Sequence, residues 1–539
     1  MPACGRPFLA NDRPASAFLS TKNHFTMRKR SILNAWAACL LAVLATACSG
    51  TPKYARLIPD DAVVVVRVDA RQIARKSAMA DNQEQQDLLD RLLRSANLGR
   101  AAQDKLEAVI ADPAESGVDL SEPLFFFAAD GQEKQACLLG AVSSREKLTE
   151  LLDVVAKESG TGRPTEQDGY TCADFKGAVM VYNDDWFVLN GGTYGQTASD
   201  IVADVNRRFE AGETGSLAGN EAFKEMCKSP GDMQLLLLGK GVAALPGIAR
   251  NLGLLEKQLP AGVRLEDFAL LTDLNCDDGE AVLTARALAL TDKARTFLDE
   301  SGKGVRPVEG KELGYVPRTT LFAAAGNVNG SELLSQVEKQ GALKEMDSQA
   351  RQIVTDALNA LDGDVTFSLN SMNEKGQVDL SLYAKVKNAT FLRSLMKDYL
   401  DSGFVSENAP DQYQMTLDYQ TEAYFGVKNG TFYFSTNESA TGLQQAASPV
   451  DAADFKGKLV FMRLYPENIL ALPAVSRPLS NTPNGQQVRN FLDKIESIEL
   501  MAESPNESRL RLVLKEKDKN VLQVFCEETT RLVRTYANV

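Results

Sequence analysis

The sequence predicts an α+β protein with two homologous halves, each made of antiparallel sheet hairpins alternating with helices packed on one face. Three observations support this fold class. Of the 539 residues, 44% are hydrophobic and 24% are charged, which is ordinary globular composition. Short apolar runs are separated by turn signals such as Asn-Gly and Asp-Gly. The order of these runs in the first part of the chain recurs in the second part.

The repeat opens with residues 58–69, IPDDAVVVVRVD, which correspond to residues 316–327, VPRTTLFAAAGN. Each segment places a proline and polar residues before an apolar strand, and closes with Asp or Asn before a helical stretch. A strand, turn, strand and helix follow at 125–152, and the same order recurs at 365–396. In the later copy, alternation predicts a half-buried strand whose apolar positions are Val378, Leu380, Leu382, Ala384 and Val386.

The later elements correspond as well. Hairpins are predicted at 178–189 and 423–434, and the second turns at Asn429-Gly430, the strongest short hairpin signal. A lone strand follows each of them, at 233–238 and at 458–463. We therefore expect both halves to continue through the same elements.

Each half ends with a hairpin and a helix. The last hairpin of the first half turns at Asp278-Gly279, and that of the second half turns at Pro505-Asn506. The closing helix begins after Asn520, with one apolar stripe predicted at Leu522, Phe525, Leu532 and Tyr536. Five matches in one order predict a first half over 55–305 and a second half over 312–539, with a Gly- and Pro-containing linker at 306–311.

The N-terminal region has the pattern of a secretory signal. The basic cluster Met27–Arg30 precedes a run at 32–47 that is apolar apart from Asn34 and Thr46. The run is shorter than the 20 or so apolar residues that a membrane-spanning helix needs. Because bacterial signals begin near the initiator, we expect Met27 to be the true start and residues 1–26 to be a mis-annotated extension.

The end of this run, residues 44–48 (LATAC), resembles a bacterial lipobox, with Ala45 where Leu is usual. It predicts a signal peptide over 27–47, lipid attachment at Cys48 and a short tether over 48–54. A non-lipidated signal and an uncleaved anchor or core helix are the alternatives. More than one acyl chain on the cysteine would hold the protein stably on a membrane.

Charge and histidine content exclude several functions. The net charge of −13, without a basic block, argues against nucleic acid as a partner. The one histidine, His24, precedes the predicted cleavage site. A mature chain without histidine excludes Ser-His-Asp and Cys-His catalysis and His-ligated zinc or iron. We expect no metal and no cofactor.

An odd number of cysteines follows Cys48, with no Cys-x-x-Cys motif. Each lies in or beside an apolar segment, so buried free thiols are favoured over disulfides, which an envelope compartment would permit. These cysteines are Cys137, Cys172, Cys227, Cys276 and Cys526.

Two motifs suggest catalysis or phosphate binding. Ser144-x-x-Lys147 matches the nucleophile motif of penicillin-recognising enzymes, but the KTG and SDN motifs of those enzymes are missing. One residue earlier, Ser143 and Glu146 form a capping box, and Asn388 is a good N-cap at the corresponding point of the second half. The glycine-rich segment 191–197 lacks the P-loop ending, which favours a strand-to-helix connection.

Acidic and aromatic segments are interpreted as structural. Residues 273–280 start like a calcium loop, but Thr284 stands where a bidentate Glu belongs, so a hairpin turn is favoured. The pairs Asp60-Asp61 and Asp184-Asp185 are favoured as turn residues over a carboxylate pair for glycoside hydrolysis. The apolar strand 124–127 is favoured as core over a ligand platform.

The lipobox, the opening IPDDAVVVVRVDARQI and the later FKGAVMVYNDDWFVLNGG resemble a family of Bacteroidetes envelope lipoproteins. Their domain is of unknown function, family 4836, and the resemblance covers nearly all of the mature chain. It implies an envelope lipoprotein and supplies no catalytic residue.

We therefore expect a lipid-anchored cell-envelope protein that acts as a binding or scaffold module without catalysis. Its expected contacts are the membrane, through the lipid on Cys48, and a protein or glycan that the sequence does not identify. Ser49 and Gly50 follow the cysteine without an acidic cluster, which favours the outer membrane, facing the periplasm. The alternative is an envelope hydrolase that uses carboxylates or a Ser/Lys pair.

Overall fold

The computed structural model describes residues 51–79, 82–96, 98–129, 135–191, 197–242, 259–339, 341–418 and 421–537. The predicted signal peptide, Cys48 and residues 192–196 of the glycine-rich segment lie outside these ranges. The described chain is a mixed α+β protein whose named strands pair antiparallel throughout. None of its described helices combines the length and the hydropathy that crossing a membrane requires.

In the first half, the strands are β1 (Ala62–Val68), β2 (Val118–Asp119), β3 (Leu124–Ala129), β4 (Gln135–Val142), β5 (Thr165–Gln167), β6 (Tyr170–Asp174), β7 (Ala178–Tyr182), β8 (Trp186–Gly191), β9 (Met233–Leu238), β10 (Phe268–Asp277) and β11 (Glu280–Ala289). The helices are α1 (Ala70–Ser77), α2 (Gln83–Ser95), α3 (Arg100–Ala111), α4 (Arg145–Ser159), α5 (Ala198–Ala211), α6 (Glu221–Lys228), α7 (Gly239–Val242) and α8 (Asp292–Ser301).

From residue 305 onward, the strands are β12 (Val305–Arg306), β13 (Phe322–Asn329), β14 (Leu361–Met372), β15 (Val378–Val386), β16 (Val405–Ala409), β17 (Gln412–Asp418), β18 (Thr421–Lys428), β19 (Thr431–Ser435), β20 (Val460–Leu464), β21 (Ile495–Ser504) and β22 (Glu507–Leu514). The helices are α9 (Gly330–Lys339), α10 (Ser348–Ala360), α11 (Thr390–Ser402), α12 (Pro466–Leu470), α13 (Pro473–Ser480), α14 (Pro483–Leu492) and α15 (Val521–Ala537).

The strands form one large antiparallel sheet. Neighbouring strands follow the order β5-β6-β7-β8-β4-β3-β1-β9-β10-β11 in the first half. The order β22-β21-β20-β13-β14-β15-β19-β18-β17-β16 continues it through the second half. The pairing of β11 with β22 joins the halves, while β2 and β12 are short additions beside β4 and β13.

Both faces of the sheet are covered in its outer parts. Face 1 of the first half carries Phe125, Leu236 and Leu271, which are buried with side chains of α5 and α6. Face 2 of the same half carries Leu124 and Leu138, which pack against α1 and α4. Alternate residues of each strand therefore enter different cores.

The second half has the same two cores. On face 1, Tyr383, Tyr433 and Phe461 are buried. On face 2, Phe432 and Phe434 pack against side chains of α11. Residues 306–311 are packed into this half as well: the Val308 amide donates to the Lys458 carbonyl, and the Gly310 amide donates to Asp364.

The predicted turns are confirmed. Asn429 and Gly430 have φ angles of 54° and 77°, as a type I′ hairpin turn requires. Asp278-Gly279 connects β10 to β11, and Pro505-Asn506 connects β21 to β22.

Two predicted faces are only partly correct. In α15, Val524 is buried and Phe525 is 56% exposed, although Phe525 was expected in the apolar stripe. The helix packs on Ile495 and Leu514 of the sheet end and also contacts α1 and α2, so its buried side is set by two surfaces at once. In β15, Ser381 and Tyr383 are buried, whereas Leu380 and Leu382 are only half-buried, because face 1 forms the tighter core there.

Candidate functional site

In the middle of the sheet, face 2 of six neighbouring strands carries almost only aliphatic side chains. Directly opposed residues of an antiparallel pair point to the same face, so the register identifies the members. We call this set the central apolar face. It comprises Leu235, Leu237, Leu270, Leu274, Leu283, Ala285, Ala287, Leu510, Leu500, Met462 and Leu464.

The central apolar face is open to solvent. Leu270 is 38% exposed, Leu500 40% and Leu510 44%, and the other members are half-buried. On face 1 of the same strands, Leu236 and Leu271 are completely buried. Exposed apolar surface costs roughly 25 cal/mol per Å², and contiguous patches of it mark interaction sites.

Helices border the central apolar face on two sides. On one side, α15 contacts β10, α1 and α2, while Val521 and Val524 of α15 help to cover Ile498 and Leu512. On the other side, α9 contacts β13, β14 and α10. The open surface is therefore a strip between two groups of helices.

The strip offers little hydrogen bonding. Thr272 and Ser508 are the polar side chains that the register places among its members, on either side of Ala285. The backbone of all six strands is paired on both sides. Such a surface binds through hydrophobic burial and dispersion, which select an apolar ligand.

Face 1 of the same central strands is charged. The buried Glu499 carboxylate accepts from Arg463 at 2.8 Å, from Arg511 at 3.3 Å and from Ser497 at 2.8 Å. Arg511 also donates to Glu280 across the β11–β22 junction, with an Nε–Oε2 distance of 2.6 Å. Burial lowers the pKa of Arg511, but its bonds to Glu280 and Glu499 outweigh this effect and raise the pKa above its usual value.

The Ser144–Lys147 motif is a helix cap. The Ser144 hydroxyl accepts from the Lys147 backbone amide at 3.3 Å, and the Lys147 ammonium pairs with Glu115 at 2.8 Å. The predicted capping box of Ser143 and Glu146 is therefore wrong: the helix begins one residue later, and the Ser144 side chain caps it without a reciprocal bond from the residue three positions on. In α11 the N-cap is Ala389, one residue later than the predicted Asn388, and the Asn388 side chain accepts from the Thr390 amide.

The acidic candidates are structural. Asp273 lies inside β10, where its carboxylate accepts from Arg286 at 3.1 Å, so residues 273–280 form a strand and a turn. Asp60 and Asp61 precede β1 in a turn, and the pair at 184–185 connects β7 to β8. Residues 124–127 supply the core with Leu124, Phe125 and Phe127, while Phe126 is 37% exposed.

All cysteines within the described ranges are free, and Cys526 is the half-buried one. The Cys137 thiol donates to Asn190 at 2.7 Å, and burial raises its pKa to about 12.

The last residue of the glycine-rich segment caps a helix. Thr197 and Asp200 form a capping box for α5. The described residues contain no group of three or more His, Cys, Asp or Glu arranged to hold a metal ion.

The sequence did not reveal the central apolar face, because its members come from six strands whose order the sequence does not specify. The turn at Asp278-Gly279 predicts the β10–β11 hairpin, but the β11–β22 register is also needed to assemble the strip.

Comparison with known proteins gives a family but no function. No curated protein matches the chain. Among solved structures, crystal form IV of TP0453 is similar with a TM-score of 0.25 and 12% identity, over 44% of this chain and 81% of that one. Crystal form III of the same protein gives 0.28 and 11%, over 48% and 90%. TM-scores this low define neither a shared fold nor a shared function. The sequence pattern of the domain of unknown function DUF4836 matches residues 54–522, and the chain therefore belongs to this family.

Proposed function

We propose that this protein is a lipid-anchored cell-envelope protein that acts without catalysis by holding an acyl chain of a lipid against the central apolar face. The observation that carries the proposal is the strip of exposed leucines between two groups of helices. The attachment at Cys48, in the outer membrane facing the periplasm, rests on the lipobox and on the residues that follow it.

An acyl chain suits this surface better than a protein partner does. The strip carries no charge and only two hydroxyl side chains among its members, so it offers few groups that could recognise a polar partner. The helices on both sides of the strip hinder the approach of a protein partner with a broad, flat surface. A slender acyl chain can lie between these helices. Six strands span about 24 Å, and one bilayer leaflet holds about 15 Å of hydrocarbon. The strip can therefore take the full length of an acyl chain.

Binding of a fluorescent fatty acid tests the proposal. A dansyl-labelled undecanoic acid is titrated into the chain carrying Cys48→Ala, with and without Leu500→Asp and Leu510→Asp. We expect saturable binding that weakens about tenfold or more in the double variant, since 1.4 kcal/mol corresponds to a factor of ten. The control is Phe404→Asp, at a 77% exposed residue before β16. No saturable binding, or an equal loss in the control, contradicts the proposal.

Metabolic labelling tests the anchor separately. We expect a radioactive fatty acid to label the wild-type chain and to be lost, together with membrane retention, in Cys48→Ala. The control Cys526→Ala changes a half-buried thiol near the C-terminus and should keep the label. Labelling that survives Cys48→Ala contradicts lipid attachment at this residue.

We further propose that the two halves are homologous. The order β5-β6-β7-β8-β4-β3-β1-β9-β10-β11 matches the order β16-β17-β18-β19-β15-β14-β13-β20-β21-β22, and the strands that the sequence pairs as counterparts, such as β1 with β13 and β9 with β20, hold the same places. The β11–β22 pair then joins the last strand of one half to the last strand of the other. An acyl-binding strip at this junction would use side chains from both copies.

A further inference from the structure

A polar cavity lies at the far end of the second half, away from the central apolar face. Its volume is about 530 Å³, and it opens where β14 and β15 turn, beside the ends of β17, β18 and β19. Hydroxyl, amide and carboxylate groups predominate among the lining residues, which are Ser371, Asn373, Gln377, Val378, Asp379, Thr416, Thr421, Glu422, Tyr424, Thr436, Asn437 and Glu438.

Asp379 is held in position from two sides. Its Oδ2 accepts from Asn437 Nδ2 at 3.1 Å, and its Oδ1 accepts from Asn370 Nδ2 at 3.3 Å. Both partners are amide donors, so Asp379 is oriented without a cation to neutralise its charge. Asn370 is a positioning residue here, since it lies behind the lining of the cavity.

The polar groups continue inward from the cavity. Asn370 also lies 3.4 Å from the Ser381 hydroxyl, which hydrogen-bonds Ser435 at 2.9 Å. Ser368 lies opposite Ser381 and is fully buried, and its hydroxyl has no hydrogen-bond partner in the described part of the chain.

At the β18 part of the lining, Glu422 accepts a hydrogen bond from the Tyr424 hydroxyl at 2.6 Å. This bond raises the pKa of Tyr424 to about 12, so the phenol stays protonated and keeps the bond at neutral pH. The Tyr424 ring is half-buried and is the aromatic member of the lining.

We propose that this cavity binds a neutral saccharide unit. The carboxylates of Asp379 and Glu422 would accept hydrogen bonds from sugar hydroxyls, and the Asn437 amide and Thr436 hydroxyl would complete the contacts. The Tyr424 ring offers an apolar surface to the C–H groups of the sugar ring. The proposal is independent of acyl binding, because none of these residues belongs to the central apolar face.

The chemistry of the lining disfavours the other polar ligands. No Lys or Arg is among the lining residues, so an anionic ligand would meet carboxylates without a counter-charge. For a metal ion, the described residues offer no group of three or more His, Cys, Asp or Glu. The Asp379 and Glu422 carboxylates are held in place by hydrogen bonds, and no Lys or Arg of the lining neutralises their charge. A neutral ligand rich in hydroxyl groups can donate hydrogen bonds to both of them.

The test uses a glycan array probed with the full chain. The array carries neutral oligosaccharides that end in glucose, galactose, mannose or N-acetylglucosamine. The strongest binder is then titrated by calorimetry in buffer containing EDTA. We expect saturable binding that weakens about tenfold in Asp379→Asn and in Glu422→Gln. The control Asp401→Asn removes an exposed carboxylate of α11 outside the cavity and should leave binding unchanged.

The outcomes separate this proposal from the others. Leu500→Asp and Leu510→Asp should leave saccharide binding unchanged, whatever they do to fatty-acid binding. No binder on the array, binding that survives Asp379→Asn and Glu422→Gln, or binding that EDTA abolishes would each overturn the proposal. If Asp379→Asn does not fold, Asn437→Ala at an exposed residue replaces it, with the same expected loss.

Discussion

The two halves share a strand order but fill the same positions of face 1 with different chemistry. In the first half, β3 places Phe125 and Phe127 in the core, and Phe127 lies opposite Val65. In the second half, β14 places Thr366 and Ser368 there, and Ser368 lies opposite Ala323. Thr366 and Ser368 are completely buried, and their hydroxyls have no partner among the described residues.

This difference teaches that strand pairing alone does not determine what a core contains. Tyr54 of the first half and Glu312 of the second half are a second example, at corresponding places before β1 and β13. The Tyr54 hydroxyl donates to the Pro123 carbonyl at 2.6 Å, whereas the buried Glu312 Oε1 has no partner within the described ranges. At these two pairs of positions, the first half buries apolar or hydrogen-bonded groups, whereas the second half buries polar groups without a partner, which cost stability.

The largest expected effect on stability comes from substitutions at these face 1 positions. Phe125→Ala should lower the free energy of unfolding by about 3–5 kcal/mol, because it removes a ring packed against Tyr54 and Phe223. Thr366→Val should instead raise it by about 1 kcal/mol, since it removes a buried hydroxyl without a partner. Urea unfolding measures both. A loss of stability in Thr366→Val would mean that the hydroxyl is satisfied.

A smaller effect is expected where the halves meet. Arg511→Met should lower the free energy of unfolding by about 1–2 kcal/mol, because Glu280 loses its partner and Glu499 keeps only Arg463 and Ser497. The control Arg509→Met removes pairs with Glu503 and Glu507, neither of which is buried as Glu499 is, and should cost about 0.5 kcal/mol or less. Urea unfolding measures both variants. Equal losses of unfolding free energy would show that the ion pairs of Arg511 stabilise the protein no more than those of Arg509.

The third prediction uses pH. Burial raises the pKa of the folded Glu312 carboxyl, so the folded state binds this proton more tightly than the unfolded chain does. Stability is therefore lost as pH rises above the usual glutamate pKa of about 4.3. At pH 7, Glu312→Gln should be about 1 kcal/mol more stable than wild type, and near pH 3 the two should agree.

The matched control is Tyr54→Phe in the first half. It loses the bond to Pro123 and should be about 1 kcal/mol less stable than wild type at both pH values. Thermal unfolding at the two pH values checks the pair. A gain from Glu312→Gln that does not change with pH would rule out ionisation as its cause.

The smallest effect concerns helix caps. Ser144→Ala should cost about 1 kcal/mol, because the Ser144 side chain caps α4. Ser143→Ala should change the stability by less than about 0.5 kcal/mol, since Ser143 is exposed and precedes the cap. Urea unfolding of the two variants distinguishes the adjacent serines, and a larger cost at Ser143 would contradict the observed cap.

Local chemistry could be predicted from the sequence, and long-range geometry could not. Asn429-Gly430 and Asp278-Gly279 were identified because turn geometry depends on the φ angles of the residues themselves. The buried side of α15 was missed, because Val524 and Phe525 are distinguished only by the surfaces that this helix packs against.

The candidate sites show the same limit. The central apolar face needs the pairing of Leu283 with Leu510, two residues from different halves. The polar cavity of the second half needs Asp379 and Asn437 side by side, although 58 residues separate them in the chain. Neither arrangement leaves a local motif, so the sequence motifs indicate neither site.

The β11–β22 pair also has a consequence for folding. Arg511 and Glu280, which meet there, are 231 residues apart, so the centre of the sheet closes one of the longest loops in the chain. Contacts between distant residues slow folding, and until they form each half exposes a long unpaired edge strand. These edges carry Arg286 on β11 and Arg509 and Arg511 on β22. Charges on an open edge discourage pairing with other chains, so we expect the arginines of face 1 to lower the aggregation of the chain before it has finished folding.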